Sequence, residues 1–304
     1  MTDNSQWSRR TLLRSAAVGG GLLTVPGLLA ACSRTQTGTG ASKEDTLSKI
    51  KSSKTVTIGF AGEQPYGFKK GGELTGEAPT LHKKIFGELG ITNVKGVLVQ
   101  NFDALIPGLT AGHFDVISAG MSITPERCKK VLFSEPEFTG ATALMVKKGN
   151  PKKLSALKSV ATSGATLGVL TAAVEKGYAQ AYGVSDSKIK SYGSQQDALD
   201  AMLNGQIDAI ALTDISLHWL AHLNAGKPVE VLASFVPVVK GTKQTSAGGA
   251  VFRKSDTSLQ AAFNKKLKAI TSNESEYLSL LKPFGFGKNN VPPASLTTSK
   301  LCAG

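Results

Sequence analysis

The chain has 304 residues, 41% of them hydrophobic and 6% aromatic, with a formal net charge of +13 and three cysteines. Three cysteines are too few for a disulfide scaffold. The lysines are spread along the chain with no zinc-finger spacing, helix-turn-helix pattern or aromatic-basic interleaving, so they read as solvated surface that favours an anionic envelope, and no nucleic-acid partner is expected.

Ser8-Arg9-Arg10-Thr11-Leu12-Leu13-Arg14 is a twin-arginine type n-region. An apolar stretch from Ala16 to Ala31 follows, too short and too glycine-rich for a good membrane span, although a transmembrane helix is the alternative reading. It ends Leu29-Ala30-Ala31-Cys32, which resembles a lipobox, small residues before a cysteine that is lipidated and becomes residue one. Residues 1–31 are therefore expected to be a signal peptide for export by the twin-arginine or the general secretion route. Two acyl chains on Cys32 would give stable membrane attachment. The leader holds three arginines and one aspartate, so the rest of the chain keeps +11. Residues 32–50 are expected to be a lipidated flexible tether, because Ser33 to about Asp45 is polar, small and without apolar periodicity. Thr46 to Lys54 reads as a short helical or irregular lead-in. About 250 residues remain, enough for two lobes with their own cores.

Thr55 to Phe60 alternates as a strand and runs into Ala61-Gly62-Glu63-Gln64-Pro65-Tyr66-Gly67-Phe68. Loops at the carboxyl ends of strands in α/β sheets are where ligands sit, which places Glu63 and Tyr66 to face a cleft. Gly72 to Gly76 reads as a hairpin turn, Glu77-Ala78-Pro79 leads a helix to about Leu89, and Val94 to Leu98 is a strand. Phe102 to Ala111 carries apolar residues at helical spacing and stops at Gly112. Phe114 to Ala119 is a short buried strand introduced by Asp115. Gly120 to Thr124 is a loop, and Pro125 sits where a helix begins. Arg127 follows just inside that helix. A strand end, exposed backbone N–H groups, a helix start and an arginine thus meet within a few residues, which is how a carboxylate pocket is built. A surface turn with a solvated arginine is the alternative.

Ala141 to Val146 is an apolar strand, read as the first crossing into a second lobe. Thr166 to Leu170 is a buried strand, followed by Thr171 and a helix to about Ala181 whose start faces the cleft. Lys188 to Tyr192 is a strand, and Gln195 to Asn204 an amphipathic helix stopped by Gly205. Ile207 to Leu212 is a strand that delivers Thr213 and Asp214 at its carboxyl end, and Ile215 to Leu223 is a helix. The order of helix, glycine, aspartate, strand and polar loop repeats that of the first lobe. Val229 to Val239 and Gly248 to Phe252 read as strands, Ser258 to Thr271 and Glu274 to Leu281 as helices, and 285–304 as a tail extended along the first lobe.

His218 and His222 lie at i and i+4 on one helix face, a spacing that can hold a metal. No general-base glutamate and no third ligand accompany them, so no metal is expected. No Gly-x-Ser-x-Gly, Walker-type loop or dinucleotide fingerprint appears, and no cofactor is expected. Asp115 and Asp208 lie at strand entries, where a turn role suits them better than catalysis. With Cys32 assigned to lipid, Cys128 and Cys302 remain. In an exported chain they are expected to pair, tying the chain's end to the helix of Arg127, with two buried free thiols as the alternative.

The run Ala104-Leu-Ile-Pro-Gly-Leu to Ile123-Thr-Pro-Glu-Arg127 resembles lobe 1 of the periplasmic solute-binding proteins of ABC importers, the amino-acid-binding type. The resemblance extends from about Thr55 to the C-terminus. It implies an α/β, two-lobe periplasmic-binding-protein fold (type II), each lobe a mixed, mostly parallel sheet flanked by helices, with the ligand cleft between lobes. Lobe 1 is expected over 51–141 and 243–304, and lobe 2 over 142–242. By the resemblance, Gly120, Ser122 and Arg127 bind the ligand's carboxylate, Asp214 takes an ammonium group, and Thr171 marks the second-lobe side.

A narrower resemblance rests on Gly59 to Tyr66, Thr75-Gly76-Glu77-Ala78-Pro79, Arg127-Cys128 and Leu301-Cys302-Ala303-Gly304. Together these are similar to the substrate-binding protein of ectoine/hydroxyectoine importers. Ectoine is a zwitterion with a ring amidinium and a carboxylate. Glu63 would meet the amidinium, Tyr66 and Phe102 would offer aromatic faces, and Arg127 would take the carboxylate. Ser122 stands where the ectoine binders carry a third aromatic. Thr171-Ala172-Ala173 stands where amino-acid binders carry a Gly-Thr pair. The expectation is a lipid-anchored, monomeric binding protein that captures a small zwitterionic solute by hinge closure and hands it to an ABC permease and ATPase. Ectoine or hydroxyectoine is the first ligand and a polar or cationic amino acid the second. A cyclohexadienyl dehydratase-like enzyme using Glu63 and Asp214 is a third reading. A sensory module is a fourth, with no signalling domain in the sequence to favour it.

Overall fold

The computed structural model describes residues 45–303, so the signal peptide, the lipobox with Cys32, and most of the tether lie outside the described residues. Two five-stranded sheets organise the chain. The first runs in the order Asn93–Leu98, Thr55–Phe60, Val116–Ile117, Val251–Phe252, Leu132–Phe133. Its first three strands are parallel, and Val251–Phe252 runs antiparallel to both its neighbours. The second runs Ile189–Tyr192, Leu167–Leu170, Ala209–Thr213, Thr142–Lys147, Val229–Val231. Again three strands are parallel, and Thr142–Lys147 is antiparallel to both its neighbours.

Each sheet is buried on both faces, which is why its central strands read as unbroken apolar runs. The period of two sorts their side chains. Leu144 and Val146 enter one core of the second lobe with Leu167 and Val169, while Ala143 and Met145 enter the other with Ile210, Leu212 and Leu217. In the first lobe, Val56 and Ile58 pack under helices Glu77–Glu88 and Thr257–Thr271 through Leu81, Phe86 and Phe263. The opposite face is filled by Leu105, Leu109, Phe114 and Phe133.

The chain crosses between the lobes twice. Phe138–Gly140 leads out and Ser246–Gly248 leads back, and the two pair as antiparallel strands. Several stretches differ from the sequence expectation. The strand expected over 229–239 stops at Val231, Phe235 makes only a bridge to Thr142, and beyond Pro237 the pair Val238–Val239 forms a hairpin with Thr242–Lys243. The tail is not extended: it folds as short turns and a helix, Thr298–Ala303, beside helix Pro125–Cys128. The lead-in is helical over Thr46–Ser53, and Ile50 is buried in the first core, so folded structure begins before residue 51.

Candidate functional site

The cleft between the sheets holds a cavity of about 100 Å³. Seven of the eight residues expected at the site line it: Glu63, Tyr66, Phe102, Gly120, Ser122, Arg127 and Thr171. The first-lobe wall comes from three stretches: the loop after Thr55–Phe60, Asn101 with Phe102, and the loop after Val116–Ile117 with Arg127. Gly120 has φ +59, and a Cβ there would collide with the Tyr66 ring, so only glycine fits against that face. Ser122 is tied to Gly248 by a β-bridge, which fixes the loop to a crossing strand. Thr124 caps helix Pro125–Cys128 by accepting from the Arg127 amide at 3.3 Å.

The Arg127 guanidinium is positioned by the backbone of both lobes. Nη1 donates to the Ser122 carbonyl at 2.8 Å, and Nη2 crosses to the Ala172 carbonyl at 3.0 Å. Its Cζ stands 5.5 Å from the centroid of the Phe102 ring. The aromatic face expected to meet the ligand's cation thus meets the arginine. Burial pulls the Arg127 pKa down, opposed by the nearby Glu175 charge.

Glu63 lies in the loop after strand Thr55–Phe60 and accepts from Ser216 Oγ at 3.0 Å. Desolvation between the lobes raises its pKa to about 7, against the pull of the Ser216 bond and of Arg127. The Tyr66 hydroxyl shares a 2.8 Å hydrogen bond with Thr213 Oγ1, and burial followed by the Glu63 charge raises its pKa. Thr171 lines the cavity while its hydroxyl donates to the Tyr192 carbonyl at 3.1 Å.

Asp214 is the expected site residue that does not reach this cavity. Thr213, not Asp214, caps helix Asp214–Leu223. Asp214 therefore occupies the first helical position and turns back, accepting at Oδ1 from the amides of Ala141 at 3.2 Å and Ile215 at 2.9 Å. It borders a separate hollow among Thr139, Gly140 and Asn290.

The sequence reading passed over Glu175. The helix expected from Thr171 begins only at Glu175, because Ala172 takes a left-handed conformation, φ +61, and turns the chain first. That turn sends the Ala172 carbonyl to Arg127 and sets Glu175 on the cavity wall, 3% exposed. Burial raises its pKa to about 7, a backbone hydrogen bond opposes the rise, and the Glu63 charge adds to it. Behind it, Tyr178 is raised to about 12 by desolvation and the Glu175 charge. An acid in a first helical turn usually reads as a partner of the helix dipole, which masked this one. The cleft thus gathers one guanidinium, two carboxyl groups facing from opposite lobes, and the rings of Tyr66 and Phe102, a set suited to a small solute carrying both an anionic and a cationic group.

Below the arginine, the sulphurs of Cys128 and Cys302 lie at bonding distance, with Cα atoms 5.6 Å apart. Among the described residues no helix is long and apolar enough to cross a membrane.

Residues 56–285 match the profile of the bacterial extracellular solute-binding proteins, family 3. A probable amino-acid ABC transporter periplasmic-binding protein of Sinorhizobium fredii is 32% identical over 263 residues, 85% of this chain and 86% of the relative. The crystal structure of EhuB in complex with hydroxyectoine superposes with a TM-score of 0.75 at 32% identity, covering 84% of this chain and 97% of that one. An ancestral arginine-binding protein bound to arginine superposes at 0.66 with 28% identity, covering 77% and 98%. The two sheets and the cleft between them are the type II periplasmic-binding fold of these structures. Proteins of this kind bind small solutes outside the cytoplasm and work with the permease and ATPase subunits of ABC importers. The chain belongs to family 3 of the bacterial extracellular solute-binding proteins.

Proposed function

We propose that this chain captures ectoine or hydroxyectoine for an ABC importer. The observation that carries the reading is the placement of Glu63 and Arg127 in one buried cavity, beside the Tyr66 ring. An amidinium presents N–H groups in a plane and suits a carboxylate; the solute's own carboxylate suits Arg127 and the amides of Gly120 and Ser122. The four sequence stretches shared with the ectoine binders, and the likeness to EhuB in complex with hydroxyectoine, support the same ligand.

A cationic amino acid is the second reading, favoured by Ser122 in the loop, by Glu175 as a second acid, and by the amino-acid-binding relative. The charge state of the two acids separates the readings. With one of Glu63 and Glu175 protonated, the cavity is neutral with Arg127 and suits a zwitterion of no net charge. With both ionised it suits a solute of net positive charge. A thermal-shift panel of ectoine, hydroxyectoine and the common amino acids tests this. A shift with either ectoine and none with arginine or lysine is expected. The reverse pattern would replace the first reading with the second.

The further parts of the proposal concern anchoring and the chain's end. Lipid on Cys32 would hold the protein at the outer face of the cytoplasmic membrane; Cys32→Ser should move it from the membrane to the soluble fraction. Oxidised Cys128 and Cys302 would fix the tail to the helix of Arg127, and intact mass should rise by two hydrogens on reduction. Closure would take place within a monomer, checked by light scattering.

A further inference from the structure

We propose that Gln64 and Trp219 form an interlobe latch that slows release of the solute, an inference that rests on the solute-capture reading of the cleft. Three side chains on one face of helix Asp214–Leu223 and its cap, spaced by three, reach across to one first-lobe loop. Thr213 Oγ1 meets the Tyr66 hydroxyl at 2.8 Å, Ser216 Oγ donates to Glu63 Oε1 at 3.0 Å, and Trp219 Nε1 donates to Gln64 Oε1 at 3.0 Å. The first two contacts end on Glu63 and Tyr66, which line the cavity. Gln64 and Trp219 lie outside the cavity wall. Their bond joins lobe to lobe without touching the space a solute fills.

Both partners are held in place. Gln64 sits in a turn closed by two backbone bonds, Gly62 N to Gly67 O and Gly67 N to Glu63 O, each 3.0 Å. The following Pro65 carbonyl accepts from the Glu77 amide at 2.9 Å, which fastens the turn to the start of helix Glu77–Glu88. The Trp219 ring packs at 6.4 Å from Phe68 and 6.5 Å from Phe284, two first-lobe rings, while Leu217 and Leu220 anchor its helix in the second lobe's core. The indole N–H can only donate and the amide oxygen can accept, so the pair has one polarity.

A bond made only when the lobes meet raises the closed fraction, and apparent affinity scales with that fraction. Because the bond forms after the solute has entered, its loss appears in the dissociation rate, with the association rate nearly unchanged. One net hydrogen bond corresponds to about a fivefold change.

The test uses the full chain with Gln64→Met, which keeps length and removes the acceptor, Trp219→Phe, which keeps an aromatic ring and removes the donor, the double variant, and Gln64→Glu, which restores an acceptor. Stopped-flow release of ectoine should accelerate about fivefold in each single variant and no further in the double, with Gln64→Glu returning toward the starting rate. An unchanged rate in both single variants, or losses that multiply in the double, would overturn the latch. A second arm reads the closed form directly: with saturating solute, ectoine or whichever member of the thermal-shift panel binds, Trp219 emission should shift to the red in Gln64→Met and return in Gln64→Glu. If ectoine fails to bind, the ectoine reading falls, and release and emission measured with the amino acid that does bind decide the latch; an unchanged release rate and an unshifted maximum there overturn it.

Discussion

Residues 112–127 and 205–219 begin alike and end differently. In both, glycine closes a helix and an aspartate opens a strand. Asp115 accepts the Thr57 amide at 2.9 Å and its own amide returns to the Thr57 carbonyl at 2.7 Å. Asp208 does the same with Thr166, at 2.8 Å in both directions. The two aspartates are matched structural clasps between neighbouring parallel strands. Beyond the strand the regions part. The first lobe runs through a seven-residue loop, 118–124, before helix Pro125–Cys128, which leaves Gly120, Ser122 and Arg127 around the cavity. The second lobe starts its helix at Asp214, directly after strand Ala209–Thr213, and turns Thr213, Ser216 and Trp219 toward the other lobe. One grammar therefore yields a cavity-lining loop where the connection is long and an interlobe contact surface where it is short.

The largest expected effect that separates the two regions is at Arg127. Arg127→Ala removes a buried guanidinium held by both lobes, and solute affinity should fall at least 30-fold, on the scale of truncating one partner of a buried charge pair. Calorimetry checks it, and unchanged affinity would place the binding loop elsewhere. The matching change in the second lobe, Asp214→Asn, should leave affinity within about twofold, since that side chain faces the Ala141 and Ile215 amides and not the cavity.

Next are the two acids. Burial raises the folded-state pKa values of Glu63 and Glu175 from the ordinary 4.5 to about 7. Between those values the folded protein holds more protons than the unfolded chain. Stability of the free protein is therefore highest below about pH 4.5 on this account and declines as pH rises toward 7. The thermal midpoint of the free protein should fall between pH 5 and 7.5, and Glu63→Gln or Glu175→Gln should each flatten part of that slope. Equal slopes in all three proteins would remove the acids from the explanation.

The smallest effect sharpens the likeness between the regions. Asp115→Ala and Asp208→Ala each free a strand amide from its acceptor and should cost about 1–3 kcal/mol in denaturant unfolding. Neither should alter which solute is preferred. A change of preference in either variant would mean that the clasp also shapes the cleft.

Much of this was legible in the sequence. Thr124-Pro125 followed by Arg127 announces a capped helix start with an arginine inside it, and the loop around Arg127 lies where that signature puts it. The two sheets follow from apolar runs of strand length, and the matched glycine–aspartate entries revealed the repeat. What was not legible depends on single torsions and on partners distant in the chain. Nothing marks Ala172 as left-handed, so the late start of its helix and the exposure of Glu175 to the cavity were hidden. Asp214 has the position of an ammonium acceptor and the orientation of a backbone clasp, and only the placement of the Ala141 amide separates the two. The tail's turns and terminal helix depend on contacts with Thr139, Ser134 and Glu135, over 150 residues earlier, which no local pattern encodes.

Isothermal titration with ectoine, hydroxyectoine and arginine, run on the wild-type chain and on Arg127→Ala, tests the central claim most directly. Saturable, one-to-one heat with at least one of the ectoines, weaker or absent heat with arginine, and loss of the signal in the variant are expected. Heat with arginine and none with either ectoine, or ectoine binding that survives Arg127→Ala, would contradict it.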